Sequence, residues 1–206
     1  MFNLKSTLAA SLVALTAAAH AGTNLVGDGS FVEGATAGWF ATAGTGASIG
    51  PWSVTSGSVD LIGTYWNAPS GYSIDLDGNE PGVLSQDLSL GAAGNYVLMF
   101  SLAGNPDGGS RFKTVDVSIG DVTQQYTFDT AGHSGANMGW VTESLAFTAV
   151  EPDTTLTFSS ADAGGPFGAA LANISVTAVP EPASAGLLAA ALAMFGVTTA
   201  RRNRRF

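Results

Sequence analysis

The chain has 206 residues, no cysteine and a formal net charge of −9, so disulfide bonds and thiol chemistry are excluded. Fifteen of its sixteen acidic residues but only two of its seven basic residues lie in residues 22–179, which carry a formal net charge of −13. A domain this acidic repels phosphate backbones, so nucleic acid is not expected to be a partner.

The N-terminus has the three parts of a secretory signal peptide. Lys5 supplies a positive charge, an apolar stretch follows it, and the small residues Ala19 and Ala21 mark a cleavage site before Gly22. We therefore expect signal peptidase to remove residues 1–21. The alternative, that this segment is the first helix of a globular core, does not explain the order of the three parts.

Residues 22–179 contain short runs of β-branched and aromatic residues separated by glycine-rich turns, which predict about ten strands. The run NYVLMFSLAG is apolar on both faces and predicts a central strand covered on both sides, whereas TVDVSIG alternates. No long helical period separates the strands. The predicted fold is an antiparallel β-sandwich, a jelly roll. Its predicted core positions are Tyr96, Leu98, Phe100, Leu102, Val115, Val117, Ile119, Leu145, Phe147, Leu156, Phe158, Ile174 and Val176.

The C-terminus has a second apolar run followed by a cluster of arginines. Residues 183–200 carry no charge, and as a helix they would span about 27 Å, close to the thickness of the hydrocarbon core of a bilayer. Residues 201–206 include four arginines, which would stay in the cytoplasm. The sequence therefore predicts one transmembrane helix behind an exported domain.

The sequence Pro180-Glu181-Pro182, followed by an apolar helix and terminal arginines, resembles the PEP-CTERM sorting signal of exported proteins of Gram-negative bacteria. The resemblance implies that residues 180–206 are a processing signal, that an exosortase cuts near the Pro-Glu-Pro motif, and that the helix is a transient inner-membrane anchor. The domain would then reach the cell surface or the extracellular matrix. A permanent single-span anchor is the alternative.

Several segments of the central region, taken in order, resemble the choice-of-anchor C family. They are GSVDLIGTYW, YSIDLDGNEPGVLSQ, GNPDGG, FDTAGH, NMGWVTESLAFTA and GPFGAALANISV. The resemblance implies a galactose-binding-like β-sandwich in residues 24–177 and no defined molecular function. Carbohydrate-binding modules of similar fold suggest polysaccharide binding by analogy.

Galactose-binding-like modules often hold a structural calcium ion, but its usual ligands are displaced here. The first-strand signature reads DGSFVE, in which Glu33 comes one residue later than expected. In the last strand, Ala172 precedes Asn173 where an aspartate would stand. The hypothesis is a degenerate calcium site near Asp28, Glu33 and Asn173.

The sequence carries no specific catalytic motif. His133 would be the only histidine left after signal-peptide cleavage, and it lies in a glycine-rich loop. A pair of carboxylates suited to glycoside hydrolysis arises by chance among so many acidic residues. No phosphate-binding loop or multi-histidine metal motif occurs. We therefore expect a protein that is not an enzyme and needs no cofactor.

Aromatic residues are the remaining indication of a ligand site, because sugars stack their apolar faces on aromatic rings. Strand alternation lets only one of Tyr65 and Trp66 point inward, so one of the two is expected to be exposed. The predicted ligand contacts are Tyr65, Trp66, Asn67, Arg111, Asn137 and Trp140. Trp39, Trp52 and Trp140 are more simply explained as side chains that fill the core and edges of the sandwich.

The sequence thus predicts an exported, noncatalytic surface or matrix protein that binds polysaccharide. Two alternatives stay open: a structural or adhesive matrix component that binds no glycan, and a secreted glycoside-acting enzyme.

Overall fold

The computed structural model describes residues 22–33 and 38–180. Twelve β-strands and no α-helix occur in these two ranges. Within them, no helix has the length and hydropathy needed to cross a bilayer. The predicted signal peptide with Ala19 and Ala21, the processing residues Glu181 and Pro182, and the predicted transmembrane helix and arginine tail lie outside the described residues.

The strands form two six-stranded sheets, and every pair of neighbouring strands is antiparallel. Sheet A contains, in spatial order, β1 (Phe40–Gly44), β4 (Ser58–Ile62), β5 (Ser73–Asp75), β12 (Ala169–Ala178), β7 (Gly94–Gly104) and β10 (Val141–Ala149). Sheet B contains β2 (Ser48–Ile49), β3 (Trp52–Ser56), β6 (Val83–Ser89), β11 (Asp153–Ser160), β8 (Phe112–Ile119) and β9 (Val122–Asp129). This architecture confirms the predicted antiparallel sandwich. The predicted bounds of the signal peptide, the domain and the sorting signal stay predictions.

The core lies between the two sheets, and all of the predicted core positions are buried. Aromatic rings connect the sheets through its centre. Trp52 packs against Phe31 at 5.5 Å and against Phe158 at 6.2 Å between ring centroids, and Phe158 contacts Phe100 at 5.4 Å. The indole N–H of Trp52 donates to the backbone carbonyl of Asp28 at 3.1 Å, which fixes the N-terminal segment to the core.

The prediction that β7 is covered on both faces is wrong for part of the strand. Met99 on the outer face is 43% exposed, whereas Ser101 and Asn105, further along the same face, are buried. The difference arises because loops cover only one end of the outer face of sheet A. These loops are residues 63–72, 76–82, 105–111 and 161–168.

The covered end of sheet A buries polar side chains. Alternation along β4 and β5 directs Val59, Leu61 and Ile74 into the core, so Asp60 and Asp75 face the loops instead. Acidic side chains are seldom buried without a compensating partner. The covered end of sheet A is therefore the candidate location of a functional site.

Candidate functional site

A cavity of about 230 Å³ opens at the covered end of sheet A. We call it the sheet A groove. Its floor is formed by Thr42, Asp60 and Asp75, and its walls include Phe40, Tyr65 and Phe167. The floor lies on three neighbouring strands, and the walls come mostly from loops.

The three floor residues form one row across the sheet. Thr42 on β1 is the register partner of Asp60 on β4, and Asp60 is the partner of Asp75 on β5. The Thr42 hydroxyl donates to Asp60 Oδ1 at 2.5 Å. Asp60 is only 9% exposed, and burial raises the pKa of its carboxyl. The row therefore places two carboxyl groups side by side beneath the groove, although Asp75 is only 1% exposed.

Asp75 fixes the loops that surround the floor. Its Oδ1 accepts from the backbone N–H groups of Asp77 at 3.0 Å and Gly168 at 2.9 Å, and its Oδ2 accepts from Asn105 Nδ2 at 2.8 Å. Burial nevertheless raises the pKa of Asp75 to about 7, because these hydrogen bonds offset only part of the cost of desolvating the charge.

A buried lysine holds two of the walls from below. Lys113 occupies an inward-facing position of β8, is fully buried, and donates from Nζ to the backbone carbonyls of Gly108 at 2.7 Å and Phe167 at 2.5 Å. Burial lowers the pKa of Lys113. Asp77 is fully buried nearby, and neither of its carboxylate oxygens has a hydrogen-bond partner among the described residues. Burial raises the pKa of Asp77.

Three exposed aromatic side chains, the aromatic rim, lie beside the groove. Trp39 is 69% exposed, Phe40 48% and Tyr65 39%. The Tyr65 ring centroid lies 5.9 Å from that of Trp39 and 5.7 Å from that of Phe40. The Tyr65 hydroxyl donates to Asp107 Oδ2 at 2.7 Å, which holds the ring in position.

The expectation that one of Tyr65 and Trp66 is exposed is confirmed. Trp66 is 3% exposed and donates from Nε1 to the Ser73 hydroxyl at 2.7 Å, so it supports the groove from beneath. Trp39 lies at an edge of the sandwich, as the expectation allowed, because it precedes β1 at the edge of sheet A. It is exposed there, since nothing in the described chain covers it. Trp52 is buried, as expected.

Of the predicted ligand contacts, Tyr65 and Trp66 line the groove, whereas Asn67, Asn137 and Trp140 lie outside its lining, on two loops that are hydrogen-bonded to each other. Asn67 Nδ2 donates to the backbone carbonyl of Ala136 at 2.9 Å, and Trp140 Nε1 donates to the carbonyl of Asn67 at 2.8 Å. These bonds join residues 63–72 to the loop that contains Asn137, which is exposed. Trp140 is half-buried against the core.

Arg111 is the predicted contact that stands apart. Its Nε donates to Asp129 Oδ1 at 2.6 Å in an exposed ion pair, and the side chain is not part of the lining of the groove. The guanidinium holds the pKa of Asp129 at about 2. That Arg111 and the other predicted residues contact a ligand stays a prediction.

Sequence reasoning missed Phe40, Asp60 and Asp75. A usable signal was present, because SVDLIG and YSIDLDG each place an aspartate inside an otherwise apolar strand. A carboxyl group buried in such a strand indicates a hydrogen-bonding or functional role, because acidic side chains are seldom buried without one.

The residues of the predicted degenerate calcium site are used in hydrogen bonds of the fold itself. Asp28 Oδ1 accepts from the backbone N–H of Val32 at 2.9 Å, and Oδ2 accepts from that of Glu33 at 2.8 Å. Asn173 Oδ1 accepts from the Ser70 hydroxyl. Across residues 22–33 and 38–180, no group of three or more His, Cys, Asp or Glu side chains could hold a metal ion. The side chains present do not fit the structural calcium site, and its degeneracy stays a prediction.

Two family models match the sequence. The one described as protein of unknown function (DUF642) matches residues 24–177, and the one described as the PEP-CTERM protein-sorting motif matches residues 178–205. The second match confirms the predicted sorting signal at the C-terminus. Halomucin from Haloquadratum walsbyi is 33% identical over 138 residues, which is 66% of this chain, and the chain spans 1% of that protein's length.

Solved structures of carbohydrate-binding modules are similar in fold. The structure of TmCBM61 in complex with β-1,4-galactotriose has a TM-score of 0.50 and 15% identity, and the match covers 76% of this chain and 99% of that chain. A family 35 carbohydrate-binding module from Clostridium thermocellum has a TM-score of 0.47 and 10% identity, with coverages of 68% and 99%. At 15% identity the TmCBM61 structure shows the fold alone, the galactose-binding-like sandwich.

Proposed function

The chain belongs to the DUF642 family, and from this premise we propose that it is an exported, noncatalytic cell-surface or matrix protein whose sheet A groove binds polysaccharide. The proposal includes choice-of-anchor C membership, by the resemblance of the central segments. Its main support is the aromatic rim beside a polar floor, the pairing that sugar recognition requires. The fold shared with TmCBM61 is consistent with this role.

The aromatic rim is the strongest support for the proposal, because folding alone does not explain why three adjacent aromatic side chains are exposed. Scattered exposed apolar residues are ordinary, but three contiguous rings next to a cavity mark an interaction site. Their faces offer stacking area for the apolar side of a pyranose. The Asp60 carboxyl group and the Thr42 hydroxyl line the groove and can accept hydrogen bonds from sugar hydroxyl groups.

Replacing a rim residue is expected to weaken glycan binding. We expect Trp39→Ala and Tyr65→Ala each to lower affinity for the preferred glycan about tenfold or more, because anchor aromatics dominate binding energy. A glycan array followed by calorimetry on the best hit provides the measurement. Phe112→Ala is the matched control, since Phe112 is 52% exposed on sheet B, away from the groove.

Three outcomes would contradict the proposal. Unchanged binding by both rim variants would remove the groove as the site, and absence of binding to every glycan would favour a structural or adhesive matrix protein. Hydrolysis of a bound glycan by the wild-type protein would favour the glycoside-acting enzyme.

Processing at both ends belongs to the same proposal. In its Gram-negative host, we expect signal peptidase to remove residues 1–21 and an exosortase to cut near the motif that begins at Pro180, after a transient stay in the inner membrane. The intact mass of the protein from the surface or matrix fraction should then lack both terminal segments. Accumulation of chains that retain the terminal arginines, in a host with active exosortase, would indicate a permanent anchor instead.

A further inference from the structure

The charge of the sheet A groove limits the kind of sugar that it can hold. Asp60 and Asp75 form its floor, and Asp107 lies at its rim in contact with Tyr65. The described residues contain two Lys or Arg side chains, Arg111 and Lys113, and neither lines the groove. Arg111 pairs with Asp129, and Lys113 donates to backbone carbonyl groups behind the walls. A uronate or sulfated sugar would therefore meet acidic side chains and no Lys or Arg side chain in the lining of the groove.

Asp60 is the floor residue best placed to bind a ligand. One of its oxygens accepts from Thr42, and the other has no hydrogen-bond partner among the described residues. The side chain lines the cavity although it is 9% exposed. A carboxylate that is largely desolvated and has no cationic neighbour gains most from a ligand that brings positive charge.

Aromatic rings face the same space as this carboxylate. Phe40 and Thr42 are two residues apart on β1, so both lie on the face of the sheet that carries Asp60. Tyr65 packs edge-on against Phe40. Ring faces attract cations, and this attraction strengthens when water is displaced. Rings and a carboxylate around one cavity are the environment that suits an ammonium group.

We propose that the groove selects a sugar that carries a free protonated amine, an unacetylated amino sugar, with the ammonium between the Asp60 carboxylate and the rings of Phe40 and Tyr65. An ammonium has three donors and no acceptor, which matches the acceptor side chains of the floor. This inference rests on the proposed glycan binding and specifies its ligand class. N-acetylation removes the charge and adds bulk at the nitrogen, so it weakens binding.

The test compares oligosaccharides that differ only in the substituent on one carbon of each sugar: an amine, an acetamide or a hydroxyl group. β-1,4-linked glucosamine oligomers, their N-acetylated counterparts and β-1,4-linked glucose oligomers of equal length are titrated into the full chain, alongside an array that presents other backbones in the same amine, acetamide and hydroxyl forms. We expect the amine form to bind at least about tenfold more tightly than the other two, as a charge-assisted hydrogen bond provides.

A site-specific preference must be separated from general attraction to an acidic protein. Asp60→Asn should reduce the amine preference to within about threefold while hydroxyl-form binding persists, which also reports an intact fold. Asp121→Asn makes the same charge change at an exposed turn between β8 and β9 and should leave the preference intact. Equal binding of the three forms, or equal loss of preference in both variants, would overturn the ligand class but not glycan binding. Failure of every form to bind would overturn both.

Discussion

Asparagine in place of Asp75 is expected to remove the largest single contribution to the pH dependence of folding. In the folded domain the pKa of Asp75 is about 7, against an ordinary value of 3.8, so the folded state keeps a proton that the unfolded state releases. The contribution of Asp75 to the free energy of unfolding therefore falls as pH rises from about 4 to about 7 and is level outside that window. At about 1.4 kcal/mol per pKa unit, the fall from Asp75 is about 4 kcal/mol.

Urea denaturation between pH 4 and pH 8 measures this effect. The wild-type protein should lose stability across the window, and Asp75→Asn should lose much less. A residual slope of the same sign should remain, because burial also raises the pKa values of Asp60, Asp77 and Asp162. Asp121→Asn, at an exposed turn, should follow the wild type. Parallel curves for the wild type and Asp75→Asn would show that the floor carboxyl ionises normally.

Replacing Trp52 with alanine is expected to destabilise the domain by about 3–5 kcal/mol, the range for deleting a large buried aromatic residue. The side chain is fully buried, and it packs against Phe31 and Phe158. The substitution leaves a cavity between the sheets and removes the hydrogen bond to the Asp28 carbonyl. Because domains are only marginally stable, a loss of this size can prevent accumulation of folded protein.

Trp39→Ala is the matched control for Trp52→Ala, since it deletes the same side chain from an exposed position. It should change the unfolding free energy by less than about 0.5 kcal/mol, as substitutions at ordinary surface positions do. The two variants thus separate stability from binding: one should lose the fold, and the other should lose affinity at an unchanged melting temperature. Similar thermal unfolding of both variants would contradict the burial of Trp52.

The sequence predicts the sandwich well because alternation records which face of a strand is buried. Leu98 and Val117 follow this rule. Tyr65 and Trp66 differ in exposure as expected, but they lie in a loop and not in a strand, so alternation is not the reason. The groove is harder to predict, because its cover comes from loops distant in sequence. Phe167 reaches a floor built by Asp60, more than a hundred residues earlier.

Some features carry little local signal in the sequence. Trp39 has a large apolar side chain of the kind found in cores, and only the edge position of β1 leaves it exposed. The strands β1 (FATAG), β2 (two residues) and β9 (VTQQYTFD) lack the apolar alternation that identified the others. Their pairing comes from neighbouring strands rather than from their own propensity.

The residues of the groove are of two kinds. The floor and the walls that Lys113 holds also stabilise the fold, whereas the exposed aromatic rim does not. Lys113 belongs to sheet B, yet it holds the loops that wall a groove on sheet A, so the groove's shape depends on how the two sheets are joined. Changes to Lys113 or to the floor alter folding and recognition together, whereas changes to the exposed rim alter recognition alone. If the groove binds polysaccharide as proposed, new sugar specificities can thus arise by substituting rim residues, without the loss of stability that a new floor would bring.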